Sequence, residues 1–145
     1  MKVLLQRTSR AAVSVGGEEI ARTGAGLVLL IGVAVGDTDD DARRMAEKAA
    51  LLRVFENDDR KPHYSAVDVG AEVLVVSQFT LLADVSRGRR PGFTGAAAPG
   101  VASELVEVFA ARLEAMGLRV GRGSFGAHMQ VELVNDGPMT IMLES

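Results

Sequence analysis

Val73-Leu74-Val75-Val76-Ser77-Gln78-Phe79-Thr80-Leu81 is the stretch on which the reading of this chain turns. Its aliphatic first half predicts a buried strand over 72–79. That strand runs into Ser77, Gln78 and Thr80 with no turn residue between. A folding core alone does not require hydroxyl and amide groups there, and a strand ending in them is a rigid frame for a site. A second segment, Asn135-Asp136-Gly137-Pro138-Met139-Thr140, interrupts another apolar region. It separates a predicted strand over 129–134 from one over 140–143, at a proline that removes a ladder donor.

Outward from these segments, the first third reads as antiparallel strands. Strands are predicted over 3–7 and over 11–15, where Val13 and Val15 alternate with Ser14. Gly16-Gly17 is a hairpin signal because both residues accept positive φ. Residues 18–22 return, and a strand over 27–35 follows the Gly24-Ala25-Gly26 turn. A helix begins near Asp37 or Thr38, with Asp39 to Asp41 favouring its N-terminus. Ala42, Met45, Ala46, Ala49 and Leu52 form one apolar stripe. Residues 57–61 are a polar loop and 88–100 a Gly-, Ala- and Pro-rich one. A second helix is predicted over 101–116, burying Ala102, Leu105, Phe109, Leu113 and Met116 and stopping at Gly117. A strand over 118–121 follows, and in 129–133 the apolar Met129, Val131 and Leu133 alternate with Gln130 and Glu132. Strands outnumber helices and most can be joined by short connections. The expectation is an α+β fold of mainly antiparallel β-sheets, curled into a barrel-like core with two main helices.

The 145 residues suit a single domain spanning 1–145. With no Trp, one Tyr and five Phe, the core must be aliphatic. The absence of cysteine excludes disulfides, thiolate nucleophiles and cysteine metal sites. Neither a signal peptide nor an apolar run able to span a bilayer is visible, so a cytoplasmic protein is expected. The net charge of −3 argues against a protein that coats DNA through a basic face, though not against a local basic patch. Arg87, Arg89 and Arg90 lie close together before Pro91, and Arg119 and Arg122 flank another turn; such arginines are ordinarily solvated surface.

Several strings suggest chemistry. Gly121-Arg122-Gly123-Ser124-Phe125-Gly126 fits G-x-G-x-x-G, but a dinucleotide site needs a helix after the glycines, and a strand follows here. Turn glycines explain the string better, and no cofactor is expected. His63 and His128 have no partner at metal-ligand spacing, so no metal is expected. Asp37 to Asp41 lack the glycine and terminal glutamate of a calcium loop, and helix capping accounts for them. Thr80, beside Ser77, is a candidate nucleophile, but a hydroxyl needs a base and only His128 could lie near in space. The alternative is that Ser77, Gln78 and Thr80 supply hydrogen bonds, a preorganised donor at an oxyanion being worth roughly 2–4 kcal/mol. Gly137-Pro138 is either a plain turn or a cis peptide that thrusts carbonyls outward to recognise an amino group.

Together the two segments, in this order and in a chain of this length, resemble the D-aminoacyl-tRNA deacylases from end to end. Gln6-Arg7, Arg90-Pro91 with Phe93, and Phe125 to Gln130 fall where that resemblance expects them. Met139 stands where valine is more usual and Gly92 where serine is commoner. The resemblance implies an editing hydrolase that cleaves the ester between a D-amino acid, or glycine, and the terminal ribose of tRNA. It implies a homodimer with active sites at the subunit interface. There Gly137 and Pro138, joined by a cis peptide, reach into the partner's pocket, hold the substrate amino group and exclude an L side chain. Arg7 would brace that bend, the bland reading being a surface arginine on an edge strand. Gln78 and Phe79 would place the ester carbonyl through backbone N–H groups, Thr80 would position rather than attack, and Ser77, Phe125 and Met129 would contact substrate. Two other readings remain: a non-catalytic nucleic-acid-binding dimer, and a threonine esterase for small molecules.

Overall fold

The computed structural model describes all of residues 1–145. In chain order the elements are β1 (Lys2–Val15), β2 (Glu18–Thr23), β3 (Gly26–Gly32), α1 (Asp39–Leu51), β4 (Phe55–Glu56), β5 (Pro62–Tyr64), α2 (Ala66–Val69), β6 (Glu72–Ser77), a 3₁₀ turn (Phe79–Leu82), α3 (Pro99–Ala115), β7 (Arg119–Arg122) and β8 (Met129–Glu144). Six strands form one sheet in the order β2-β1-β3-β6-β7, with β8 on β1; β4 and β5 form a small hairpin.

The sheet curls until its ends meet. A Cβ placed on Gly121 of β7 would lie 3.5 Å from both Ala21 and Thr23 of β2. Inside the curl sits a small cluster of Ala11, Val13, Val28, Leu74 and Val76. On the other face, 24 residues of the sheet and helices make the larger core, with Phe109 and Leu113 of α3 and Ala46 and Ala49 of α1 fully enclosed. β6 serves both: Val73 and Val75 face the helices while Leu74 and Val76 face the curl. Hence its uninterrupted aliphatic run, each enclosed side chain contributing about 1.5–3 kcal/mol relative to exposure.

The α+β class, the curled sheet and the two long helices agree with the sequence reading, and the departures have physical causes. Two predicted strands, 3–7 and 11–15, are one strand. Exposed Ser9 and Arg10 break the apolar alternation, but β1 keeps pairing with β8 through register shifts at Gln6/Thr8 and Thr8/Arg10 while handing its other edge from β3 to β2. Residues 129–134 and 140–143 likewise belong to one strand, β8. Its ladder on β1 steps from Thr140 opposite Gln6 to Asn135 opposite Thr8, leaving the proline outside the pairing. The sheet is mixed, because β3, β6 and β7 run parallel. Residues 33–71 and 78–118 are long enough to hold crossover helices, so the short-connection argument fails there. Gly26 permits the β3–β6 approach, since a Cβ on it would overlap the Glu72 carbonyl.

Local signals were more reliable. Gly16 and Gly17 turn with φ of 58° and 81°. Thr38 caps α1 in a reciprocal box with Asp41. Asp37 is taken by the Met1 ammonium and the Ala34 N–H. The second long helix starts at Pro99, at its first position, two residues earlier than its apolar pattern indicates.

Candidate active site

β6 stops at Ser77 because the chain must turn over Gly32. The Gln78 N–H donates to the Ile31 carbonyl at 2.7 Å, completing the β3–β6 pairing. Residues Phe79 to Leu82 then wind into the 3₁₀ turn, with Leu81 N–H donating to Gln78 and Ala83 N–H to Thr80. Gly32 lies directly beneath: a Cβ there would collide with Leu82 and stand 3.0 Å from the Gln78 carbonyl. The strand predicted through Phe79 therefore ends two residues earlier.

Beside this turn is a cavity of about 670 Å³. Ser77, Gln78 and Phe79 wall one side, Phe93 and the small residues Ala96 to Ala98 a second, and Phe125 to Met129 with Val131 the third. Phe79 and Phe93 meet edge to face at 4.9 Å. Phe79, Phe93 and Phe125 are 54%, 36% and 40% exposed, so three of the five phenylalanines in the chain are held at one concave surface and not in the core. An apolar cavity with a few polar groups at one edge is the usual form of a small-ligand site. His128 is the only ionisable side chain on its wall. Met129 is anchored there by the Ser124 N–H, 3.3 Å from its sulfur, and Gly123 leaves room for that sulfur.

Five of the nine residues singled out from the sequence thus share one cavity: Ser77, Gln78, Phe79, Phe125 and Met129. Thr80 lies just beyond it, its hydroxyl accepting a hydrogen bond from the Gln78 amide. Neither histidine is hydrogen-bonded to Thr80, and the side chain that is, Gln78, is a donor there and not a base. The Gln78 N–H, expected to face the ester, is committed to Ile31. The Phe79 N–H, first in the turn, has no carbonyl of that turn to accept it.

Arg7, Gly137 and Pro138 form a separate structure. The Gly137–Pro138 peptide is cis and Gly137 has φ +127°. Asn135 spans the bend, accepting from Met139 N–H at 3.0 Å and donating to Thr140 Oγ1 at 2.8 Å. Arg7 is 5% exposed, on the inner strand β1, and is not the surface arginine of the bland reading. Its Nε donates to the Asp136 carbonyl at 2.9 Å, its Nη1 to the Val54 carbonyl at 2.5 Å and its Nη2 to Glu56 at 3.2 Å. A Cβ on Gly137 would sit 2.6 Å from Arg7 Nη2, so the guanidinium fills the space a side chain would take. Gly137 and Pro138 are exposed, and neither lines the cavity of their own chain.

A recess of about 230 Å³ adjoins the cavity, sharing Ser77 and Phe125 and holding Glu107 and Arg122. Arg122 bonds both Glu107 and Glu114, at 2.7–3.0 Å. Those hydrogen bonds raise the guanidinium further above its usual range, and Arg122 holds the Glu114 carboxyl below the usual one. One guanidinium thus answers two carboxylates, and this flank keeps a net negative charge.

The sequence reading passed over Ala96 to Ala98 and Val131 as cavity wall. The alanines showed only as a run of small residues in the 88–100 loop, which looked like absence of structure and in the fold lines the cavity, while Val131 showed only as one apolar position of an alternating strand. Gly32, as a support for the turn, left no signal at all.

A family model described as D-Tyr-tRNA(Tyr) deacylase matches residues 4–144. The D-aminoacyl-tRNA deacylase of Roseiflexus castenholzii is 54% identical over 145 residues, covering 100% of this chain and 92% of that protein. That of Deinococcus radiodurans is 52% identical over 144 residues, covering 99% of each. Among solved structures, one described as c-Myc DNA Unwinding Element Binding Protein superposes with a TM-score of 0.93 at 41% identity, over 100% of this chain and 99% of that one. Another, described as a probable eukaryotic D-amino acid tRNA deacylase, gives a TM-score of 0.87 at 20% identity over 98% and 97%, a likeness of fold. On the match over 4–144 and the full-length relatives, the chain belongs to the D-Tyr-tRNA(Tyr) deacylase family.

Proposed function

We propose that the protein hydrolyses the ester between a D-amino acid and the terminal ribose of tRNA, releasing free tRNA and the D-amino acid. It would act as a cytoplasmic homodimer that proofreads chirality. One observation carries this reading. Ser77, Gln78 and Phe79 wall one side of the cavity, while the exposed Gly137-Pro138 bend that would complete the site stands elsewhere on the same chain. A second copy can bring its bend to that cavity. Exposed apolar side chains on β8 favour such pairing: Val131, Val134 and Met142 are 37%, 39% and 44% exposed.

In the pocket so completed, the ester carbonyl faces the Phe79 N–H. Water adds to the carbonyl carbon, the N–H holds the developing oxyanion, and the C–O bond to the ribose breaks as the leaving oxygen takes up a proton. The neighbouring ribose hydroxyl assists. Thr80, whose hydroxyl is held by the Gln78 amide, positions that side chain. The carbonyls of the partner's bend receive the substrate ammonium and leave no room for an L side chain. Rejection by a rigid clash suits the task, because attraction alone separates similar apolar groups by only about 1–3 kcal/mol. Glycine has no side chain to clash, so glycyl-tRNA, including glycine mischarged on tRNA(Ala), is cleaved as well.

The experiment is deacylation of matched D- and L-tyrosyl-tRNA with glycyl-tRNA alongside. The D and glycyl esters should be cleaved and the L ester spared; equal cleavage of D and L would refute the proposal. In single turnover, Thr80→Ala should slow the reaction without abolishing it, and a trapped acyl-enzyme in the unsubstituted protein would return Thr80 to the role of nucleophile. The name of the 41%-identical DNA unwinding element binding protein favours one second reading, a non-catalytic nucleic-acid-binding dimer. Tight nucleic-acid binding with no ester cleavage would select it.

A further inference from the structure

Sixteen lysines and arginines face nineteen acidic residues in this chain, and half of these cations are tied in ion pairs. Among the rest, Arg87, Arg89 and Arg90 crowd into four consecutive positions, all exposed. The other unpaired neighbours, Arg60 and Lys61, follow directly on Asp58 and Asp59, which offset them. Nothing comparable offsets the arginine loop. The one acid at its base, Asp84, accepts from the Ser86 N–H at 2.9 Å, hydrogen bonds from Ser86 hold its carboxyl below the usual range, and it sets one exposed negative charge against three positive ones.

The loop is also fixed at its base and aimed. Asp84 and Gly92 exchange both backbone hydrogen bonds, at 2.8 and 2.9 Å, and clamp residues 85–91 into one projection. Before the clamp comes the 3₁₀ turn that carries Phe79; after it comes Phe93, on the cavity wall against Phe79. Three exposed arginines without an ion-pair partner therefore belong to a loop whose base adjoins a cavity that itself has no lysine or arginine on its wall. The remainder of an acidic molecule repels a polyanion, so this loop is the place where phosphates would be drawn in.

The geometry points to the 85–91 loop as a phosphate clasp for the unpaired 3′ strand of the RNA whose terminal ester occupies the cavity. This rests on the deacylase reading for its occupant, but its test does not need hydrolysis. Guanidinium forks match phosphate oxygens two at a time, and three such contacts on single-stranded RNA contribute about −2 to the slope of log affinity against log salt.

Filter binding of uncharged tRNA, intact or trimmed of its single-stranded 3′ end, is measured for the unsubstituted protein, for Arg87→Gln/Arg89→Gln/Arg90→Gln and for the matching triple lysine variant. For intact tRNA the glutamine variant should bind more weakly and with a flatter salt slope. Between about 50 and about 200 mM salt, the unsubstituted protein should lose roughly sixteenfold more affinity than that variant. The lysine variant should keep most of the slope, which a merely structural role of the loop would not explain. Trimmed tRNA should bind the unsubstituted and glutamine proteins alike. An unchanged slope in the glutamine variant would overturn the inference. So would an equal effect on intact and trimmed tRNA, which would assign the arginines to the duplex body. Intact binding behaviour with no cleavage of D-tyrosyl-tRNA would sink the deacylase reading and leave the clasp standing.

Discussion

Gly32 couples the core to the rim of the cavity. It ends a strand buried everywhere but at Leu30, yet the Gln78 carbonyl and the Leu82 side chain both press on the place where its Cβ would be. Gly32→Ala should therefore lift the 3₁₀ turn and move the Phe79 N–H with it. A shift of about 1 Å in such a group costs on the order of 10²-fold in rate. The expected result is a loss of that size in kcat/KM for D-tyrosyl-tRNA with a retained far-UV circular dichroism spectrum; full activity would mean the turn is not the carbonyl site. Arg7 is the opposite case, a residue whose loss should be felt first in stability. Its removal strands the Val54 carbonyl in a buried setting and frees the Asp136 carbonyl. Arg7→Ala should cost about 3 kcal/mol in urea unfolding. Lysine should not rescue it, having no fork to reach three acceptors at once.

At the scale of elements, capping was legible and strand continuity was not. Thr38 with Asp41, and Ser65 with Asp68, each close a reciprocal box at a helix start. The first could be read from Thr38 and the acids after it. The four-residue α2 was missed because Ala66 to Val69 is too short to show a helical period. Hydrogen bonds from Thr38 hold the Asp41 carboxyl below its usual range, and those from Ser65 do the same for Asp68. A carboxyl lowered in the folded state contributes stability that is fully present above its unfolded value, near 4, and is lost as pH falls through the folded one. Acid unfolding monitored by circular dichroism should accordingly start below about pH 4, and Thr38→Ala, costing about 1 kcal/mol near neutrality, should lose less on acidification than the unsubstituted protein. The long strands escaped sequence reading for a different reason. β1 and β8 change neighbours and register along their length, and the Ser9-Arg10 and Gly137-Pro138 interruptions that mark those changes look like ends.

Across the whole molecule, the class of fold and part of the cavity wall could be read locally, since Ser77 to Phe79 lie at the end of one recognisable strand and Phe125 and Met129 at the approach to another. Long-range facts could not. That Phe93 comes to rest against Phe79, or that Arg7 reaches Val54 and Asp136 from the far side of the chain, depends on the curl of the sheet and leaves no periodicity behind. Likewise, the separation of the Gly137-Pro138 bend from the cavity appears only once the chain is folded. Light scattering should then give twice the mass of the 15.3 kDa chain, and a charge placed at Val134 should halve that mass and abolish D-ester cleavage together.

One property of the cavity reaches past the question of handedness. Its wall carries no carboxylate, lysine or arginine, and a single imidazole is its only ionisable group. Such a lining exerts little pull on the far end of an amino acid and little push. An aspartyl or arginyl residue of the same hand would keep its charge in water at the open mouth, while a tyrosyl ring could rest against the phenylalanines, so breadth of substrate would come from gripping the shared backbone and leaving the far end outside.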